Sequence, residues 1–339
     1  MGRLQPQGEA KMKIIITGAT GFVGRNLAES FHDKGLEVIA TGRSEKIGTK
    51  LQKRGISFIP AHIEDPAQVD KVFSTADCVI HCAAKTADWG KYKEFHATNV
   101  IGTRNIINAC KAHHIKKIMF ISTPSVYFSG KDRYNIAESD PLPKKQFNYG
   151  KTKLIAEKDL LALCPEGFQV IIFRPRAIYG PYDRTIVPRI LQLSQKKHFP
   201  LIYHGKALID ITYIANLIAA IESGLSAPHH AWNDIYNISN GDPIHFKNMI
   251  ALVLNIFKRP FNPKNVSEPI ARSIAKTMEW LSSLPFGNKT PAMTTFTVGY
   301  MAKSMTMSID KAKQKLHYAP QIGNQQGFEF YEKWIDIIE

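Results

Sequence analysis

Short, nearly continuous apolar runs recur along the first half of the chain, separated by amphipathic stretches. Lys13–Thr17 (KIIIT), Leu36–Thr41 (LEVIAT), Ser57–Pro60, Asp77–Cys82 (DCVIHC) and Lys117–Ser122 (KIMFIS) read as strands. Their Ile and Val content, without strict alternation, suits a parallel sheet covered on both faces. Between them, Phe22–Lys34, Pro66–Ser74 and Phe95–His113 carry helical spacing and fit crossover connections. Gln169–Arg174 (QVIIFR) and Ile235–Ile238 (IYNI) predict two further strands. The pattern specifies an α/β chain with a doubly wound parallel sheet. Its ligand is expected at the carboxyl ends of the strands.

Beyond Arg174 the alternation breaks down, and Pro175, Pro181, Pro188 and Pro200 fragment the next stretch. The expected division is a nucleotide-binding domain over residues 12–175, rejoined by 205–240. A smaller mixed lobe for substrate comprises 176–204 and 241–339. Residues 1–11 have no apolar core segment and read as a disordered extension, with Met12 a candidate start. Trp280, Leu281, Leu284, Pro285 and Phe286 cluster in the lobe and are expected to form its core. The other reading of that cluster is a hydrophobic lid or membrane-facing element.

Composition narrows the class. Of 339 residues, 44% are hydrophobic and 22% charged, which excludes wholesale disorder. No apolar run approaches the roughly 18 residues of a spanning helix. The four cysteines, Cys78, Cys82, Cys110 and Cys164, form no C-x-x-C pair. Reduced thiols and a cytoplasmic setting are expected. No His or Cys spacing suggests a metal site. The formal charge of +15 is spread over scattered lysines, without the aromatic interleaving or motif of a nucleic-acid binder. It reads as a solvated surface, with anionic substrate or peripheral membrane contact as the alternatives.

The first strand runs directly into Thr17-Gly18-Ala19-Thr20-Gly21-Phe22-Val23-Gly24. Gly18 and Gly21 permit a tight turn and close approach of a pyrophosphate, and Gly24 lets the next helix pack on the sheet. Free amides and the positive helix end then face the anion. At the end of the second strand Arg43 lies 19 residues beyond Gly24, where an acid would mark NAD. A guanidinium there suits a 2′-phosphate, which favours NADP(H) over NAD(H). Glu45 stands near enough to serve a ribose hydroxyl instead.

Tyr149 and Lys153 lie four residues apart, one helical turn, on a shared face. A nearby ammonium favours the phenolate and brings a tyrosine towards acid–base service. Ser122-Thr123-Pro124-Ser125 follows the fifth strand, at the edge where a hydroxyl could hold a substrate carbonyl.

These segments, with His81-Cys82-Ala83-Ala84, Asn99 in HATNVIGT, STPSVY, YGKTK and FRPRAIYGP, resemble the extended short-chain dehydrogenase/reductase family. The resemblance runs from Met12 to near the end and implies a Rossmann fold. STPSVYF, Asp88-Trp89-Gly90 and the C-terminal pattern look most like its 3β-hydroxysteroid dehydrogenase-like branch, which includes 2-alkyl-3-oxoalkanoate reductases. The resemblance implies Tyr149 as proton donor or acceptor and Lys153 as its tuner and ribose ligand. Thr123, four residues before Tyr127, would orient the carbonyl, with Ser122 or Ser125 as substitutes. Asn99 would organise a proton path through the lysine.

Cofactor contacts would come from Gly18, Thr20, Gly21, Phe22, Val23, Gly24, Arg43, His62, Ile63, Cys82, Ala83, Ala84, Tyr149, Lys153 and Pro175. Substrate contacts would come from Thr123, Ser125 and Arg176, and Tyr179 and Asp210 also border the family's pocket. Tyr92, Trp89 and Tyr203 are expected in the core, with contact to an apolar substrate as the alternative. Two departures stand out: His62 replaces an adenine-binding aspartate, and no asparagine precedes His81-Cys82-Ala83-Ala84.

The implied reaction interconverts a secondary alcohol and a ketone on a hydrophobic or acyl substrate. A nucleotide-sugar epimerase uses the same triad, although Pro124-Ser125 replaces the Asp-Glu pair of a dehydratase. A non-catalytic nucleotide sensor is the third reading. Many relatives pair the helices of Phe95–His113 and Tyr149 in a homodimer, which the resemblance implies here.

Overall fold

The computed structural model describes residues 11–284 and 290–338. The expected extension lies almost wholly outside the described residues. The first half runs β1 (Lys13–Thr17), α1 (Phe22–Asp33), β2 (Glu37–Gly42), α2 (Glu45–Lys53), β3 (Ser57–Pro60), α3 (Pro66–Val72) and β4 (Cys78–His81). It continues through α4 (Tyr92–His96), α5 (Gly102–Ala112), β5 (Lys117–Ile121), β6 (Arg133–Ile136), α6 (Asn148–Leu161) and β7 (Gln169–Pro175). The second half adds β8 (Ile178–Tyr179), α7 (Val187–Ser194), β9 (Phe199–Ile202), β10 (Leu208–Ile209), β11 (Thr212–Tyr213), α8 (Ile214–Leu225) and β12 (Asp234–Ile238). Then follow β13 (Ile244–His245), α9 (Phe246–Ile256), β14 (Pro263–Val266), α10 (Glu268–Ser283), α11 (Thr295–Ala302), β15 (Met305–Met307), α12 (Asp310–Leu316) and α13 (Asn324–Ile338).

Seven strands pair in the order β12-β7-β5-β4-β1-β2-β3, and all their pairings are parallel. Alternate residues of each strand feed opposite layers. Ile14, Ile16, Met119, Ile121, Ile171 and Phe173 join one core, while Ile15, Ile39, Val79, Phe120 and Ile172 join the other. Burial on both faces explains the unbroken apolar runs. The strand order reverses between β1 and β4, so the crevice opens outside Thr17 and His81. β6, β10, β13 and β15 form a second sheet of four strands.

Several expectations change. A helix over Phe95–His113 is instead α4 and α5 joined by a wider π-helical turn at Ala97–Ile101. Such a turn inserts an extra residue, and here it carries the buried Asn99. The α2 helix, not among the expected elements, buries Gly48 and Leu51, and its Gly48 is there for space. A Cβ at Gly48 would stand 2.1 Å from the Phe58 ring.

The lobe-core reading of the Trp280 cluster does not hold. Trp280 is 60% exposed and Leu281 51%, with Leu284 also exposed. α10 buries its small residues Ala271 and Ala275 instead. Its Ile270, Ile274 and Leu281 recur at helical spacing on the outward face. Pro285 and Phe286 lie outside the described residues. Tyr92 and Tyr203 are likewise exposed rather than core, because each lies at or beside the first turn of a surface element.

Candidate active site

β1 ends in a turn that only glycine can make. Gly18 has φ of +70°, and a Cβ there would lie 2.6 Å from the Ala83 amide nitrogen. A Cβ on Gly24 would meet the Gly18 carbonyl oxygen at 2.4 Å. Gly21 caps α1 without a side chain, so no side-chain acceptor competes for the first-turn amides. The result is a bare backbone cradle at a helix N-terminus, which fits a dinucleotide pyrophosphate. Beside it His81 is fully buried between Thr17 Oγ1 at 2.6 Å and Thr103 Oγ1 at 3.0 Å. Burial, with the Lys153 charge, holds its pKa down to about 3.

Two cavities flank this loop. One, of about 690 Å³, is lined by Gly18, Thr20, Gly21, Arg43, Ile63, Cys82, Ala83 and Ala84. Sequence reasoning missed Arg25, Lys46, Lys50, Arg184 and Glu64, which also line it. Only Lys46 and Lys50 had a sequence signal, as basic residues just after β2; Arg25, Glu64 and Arg184 reach the cavity from α1, the turn after β3 and the segment after β8. Glu64 accepts a hydrogen bond from Thr98, while its other carboxylate oxygen is buried without a partner among the described residues. His62, expected to contact cofactor, is not in the lining. Its side chain is exposed, and its backbone N–H bonds Gln68 Oε1 at 2.9 Å. The turn after β3 directs Ile63 and Glu64 inward instead.

The second cavity, of about 570 Å³, is lined by Gly18, Gly21, Phe22, Val23, Gly24, Cys82, Ala84, Thr123, Ser125, Tyr149, Pro175 and Arg176. Its outer wall is apolar, built from α7, β9, α9 and α11 through residues such as Ile190, Phe199, Met249 and Phe296. Thr123 follows β5 in extended conformation, and its Oγ1 caps the short helix Pro124–Tyr127 by accepting from Ser125 N–H at 3.1 Å. The Thr123 hydroxyl also donates to Ser125 Oγ at 3.0 Å. Burial pushes the Tyr149 pKa up to about 12, against an opposing contact with the Thr123 hydroxyl.

Lys153 is buried and donates to the Ile121 carbonyl at 2.6 Å, with Nζ 3.7 Å from the centre of the Phe120 ring. Burial brings its pKa down to about 7, and the Glu157 carboxylate acts in the opposite direction. Asn99 does not line either cavity. Its amide bridges Lys85 N at 2.8 Å, Lys85 O at 3.2 Å and Thr152 Oγ1 at 3.1 Å, fixing the π-helical turn against α6.

Beneath Lys153 lies an ion pair that sequence reasoning did not assign. Glu157 accepts from Arg174 Nε at 2.9 Å and Nη2 at 2.5 Å, and also from the Ser122 hydroxyl. Ser122, which also lines the second cavity, thus ties this pair to the site. Tyr127 accepts from Arg174 and donates to Asn237 Oδ1 at 3.0 Å. Burial opposes the Arg174 charge, but the bonds to Glu157 outweigh it and hold the group protonated. Tyr179 is turned away, its hydroxyl donating to the Asn324 carbonyl at 3.2 Å. Asp210 Oδ2 accepts from Met307 N–H at 2.7 Å.

A bare glycine cradle opening on a cavity that holds a tyrosine and a threonine, with a buried lysine behind, defines a nicotinamide-dependent oxidoreductase of the extended short-chain dehydrogenase type. The chain belongs to the NAD dependent epimerase/dehydratase family, whose description matches residues 14–239. It is 32% identical over 324 residues to a 2-alkyl-3-oxoalkanoate reductase of Stenotrophomonas maltophilia, covering 93% of this chain and 97% of that one. It is 29% identical over 349 residues to a decarboxylating sterol-4-alpha-carboxylate 3-dehydrogenase of Saccharomyces cerevisiae, covering 95% of this chain and 97% of the relative. Among solved structures, UDP-glucuronic acid 4-epimerase from Bacillus cereus in complex with NAD is similar in fold. That comparison has a TM-score of 0.75 at 23% identity and covers 96% of this chain and 99% of that one.

Proposed function

We propose that this enzyme interconverts a ketone and a secondary alcohol on a large apolar substrate of acyl or steroid-like type, with NADP(H) preferred to NAD(H). The observation that carries this reading is the second cavity, where Thr123 and Tyr149 face walls that are mostly hydrocarbon. A nucleotide sugar needs polar partners around its rings and phosphates, and this lining is predominantly apolar. Both relatives carry names that join an apolar body to a carboxylate near the reacting carbon. The NADP(H) preference rests on Arg43, Lys46 and Lys50 in the first cavity, a cationic set suited to a third phosphate.

A nicotinamide cofactor held at the Gly18–Gly21 cradle would supply or accept the hydride at the carbon bearing the substrate oxygen. Thr123, its hydroxyl turned from Ser125 Oγ to the substrate, donates a hydrogen bond to that oxygen and fixes its position. Tyr149 gives its phenolic proton to the oxygen during reduction and takes it back during oxidation. With a pKa of about 12 it is almost fully protonated at neutral pH, ready for the reductive direction. Lys153, when protonated, stabilises the phenolate left behind. The apolar walls keep water from the site and strengthen each of these contacts.

The test is turnover of purified enzyme with NADPH and NADH against a branched β-keto acid, a keto-steroid and a UDP-sugar. Net NADPH oxidation by an apolar ketone, lost at least about 1,000-fold in Tyr149→Phe, supports the reading. Interconversion of sugar epimers without net cofactor change would refute it.

A further inference from the structure

We propose that Arg176 is the anchor for a substrate carboxylate placed close to the reacting carbonyl, which makes the enzyme selective for acids over their esters and simple ketones. This rests on the oxidoreductase reading above and names a specificity residue within its site.

Arg176 is 1% exposed, yet its Nε and Nη1 have no hydrogen-bond partner among the described residues. A buried unpaired guanidinium donor is costly, and native interiors rarely retain one without a reason. The residue lines the same cavity as Thr123 and Tyr149. Its guanidinium carbon lies 3.8 Å over the Tyr300 ring centre, so one face is held by stacking while the edges remain open to an acceptor. Asp210 is the nearby charge, but its Oδ2 is taken by Met307, and no ion pair joins it to Arg176 among the described residues. Burial lowers the Arg176 pKa to about 9, with Asp210 opposing, so the group remains cationic at neutral pH.

The placement selects the kind of acid. Thr123 follows the end of β5 and Arg176 the end of β7, and these strands pair directly, with Ile121 opposite Phe173. Neighbouring strands stand roughly 4.8 Å apart, so the carbonyl-orienting hydroxyl and the guanidinium rise from adjacent strand ends. A carboxylate one or two carbons from the carbonyl suits that arrangement better than one at the far end of a chain. A carboxylate entering this mostly apolar cavity needs a counter-charge; Arg189 also lines it but donates to the Ala292 carbonyl at 2.9 Å, whereas Arg176 offers unpartnered planar, directional donors.

The experiment compares a 2-alkyl-3-hydroxy acid with its methyl ester as alcohol substrates for the wild-type enzyme and NADP. The acid is expected to win in kcat/KM by on the order of 100-fold, the scale of hydrogen bonds to a charged group. In Arg176→Met that ratio should fall to near 1, mainly through KM for the acid. Arg176→Lys should restore part of it. The wild-type ratio needs no variant to fold, so it is decisive by itself. An ester used as well as the acid overturns the anchor while the oxidoreductase reading stands. An equal loss for both substrates in Arg176→Met, with the ratio kept, also overturns it. If neither compound nor any apolar ketone turns over, the underlying reading fails first.

Discussion

Replacing Glu157 by glutamine removes one charge from the centre of the protein and leaves the shape nearly intact. The native carboxylate is 1% exposed, and the Arg174 guanidinium it holds is 2% exposed. Two Arg174 donors, at 2.9 and 2.5 Å, end on it, as does the Ser122 hydroxyl. With a neutral amide opposite, Arg174 becomes a buried cation without a counter-ion. Breaking a buried pair from one side costs about 3–5 kcal/mol, mostly the desolvation of the charge left behind. Urea unfolding followed by tryptophan fluorescence should show a midpoint lower by at least about 1 M with little change in slope. Adding Arg174→Met removes the stranded charge and should recover most of the loss.

The same substitution has a catalytic reading. Glu157 supports the Lys153 ammonium, whose pKa burial brings to about 7. The phenolate of Tyr149 needs that cation, so kcat/KM for ketone reduction should fall as pH rises through about 7. In Glu157→Gln the fall should begin at lower pH. A stability change below about 1 kcal/mol, or a pH profile moving upward, would refute the account of this ion pair.

Three further outcomes follow from the same structure. His81 has a folded pKa of about 3 against an ordinary 6.5, so between those values the unfolded chain binds the extra proton and stability is lost as pH falls. His81→Asn should lose about 2 kcal/mol less than wild type between pH 6.5 and 5, measured by denaturant titration. Arg43→Asp should shift the NADPH-to-NADH ratio of kcat/KM towards NADH by on the order of 100-fold; an unchanged ratio would show that Arg43 does not read the third phosphate. Gly24→Ala should weaken dinucleotide binding more than about 10-fold in titration calorimetry, since its Cβ would sit 2.4 Å from the Gly18 carbonyl oxygen.

Much of this protein is legible in its sequence because parallel strands and glycine turns are local in cause. Ile14-Ile15-Ile16 must be buried on both sides, and no residue but glycine accepts the backbone at Gly18. Tyr149 and Lys153 share a helix face by spacing alone. Tertiary structure decided what spacing could not. It exposed Trp280 and Leu281 by packing α10 through alanines, and it turned His62 outward while bringing Glu64 inward. It joined Glu157 to Arg174 from a distant strand and tied Ser122 to the pair. It also left Arg176 buried beside the site, its Nε and Nη1 without partners among the described residues. Periodicity reports which residues avoid water, whereas the partner a buried polar group finds depends on elements far apart in the chain.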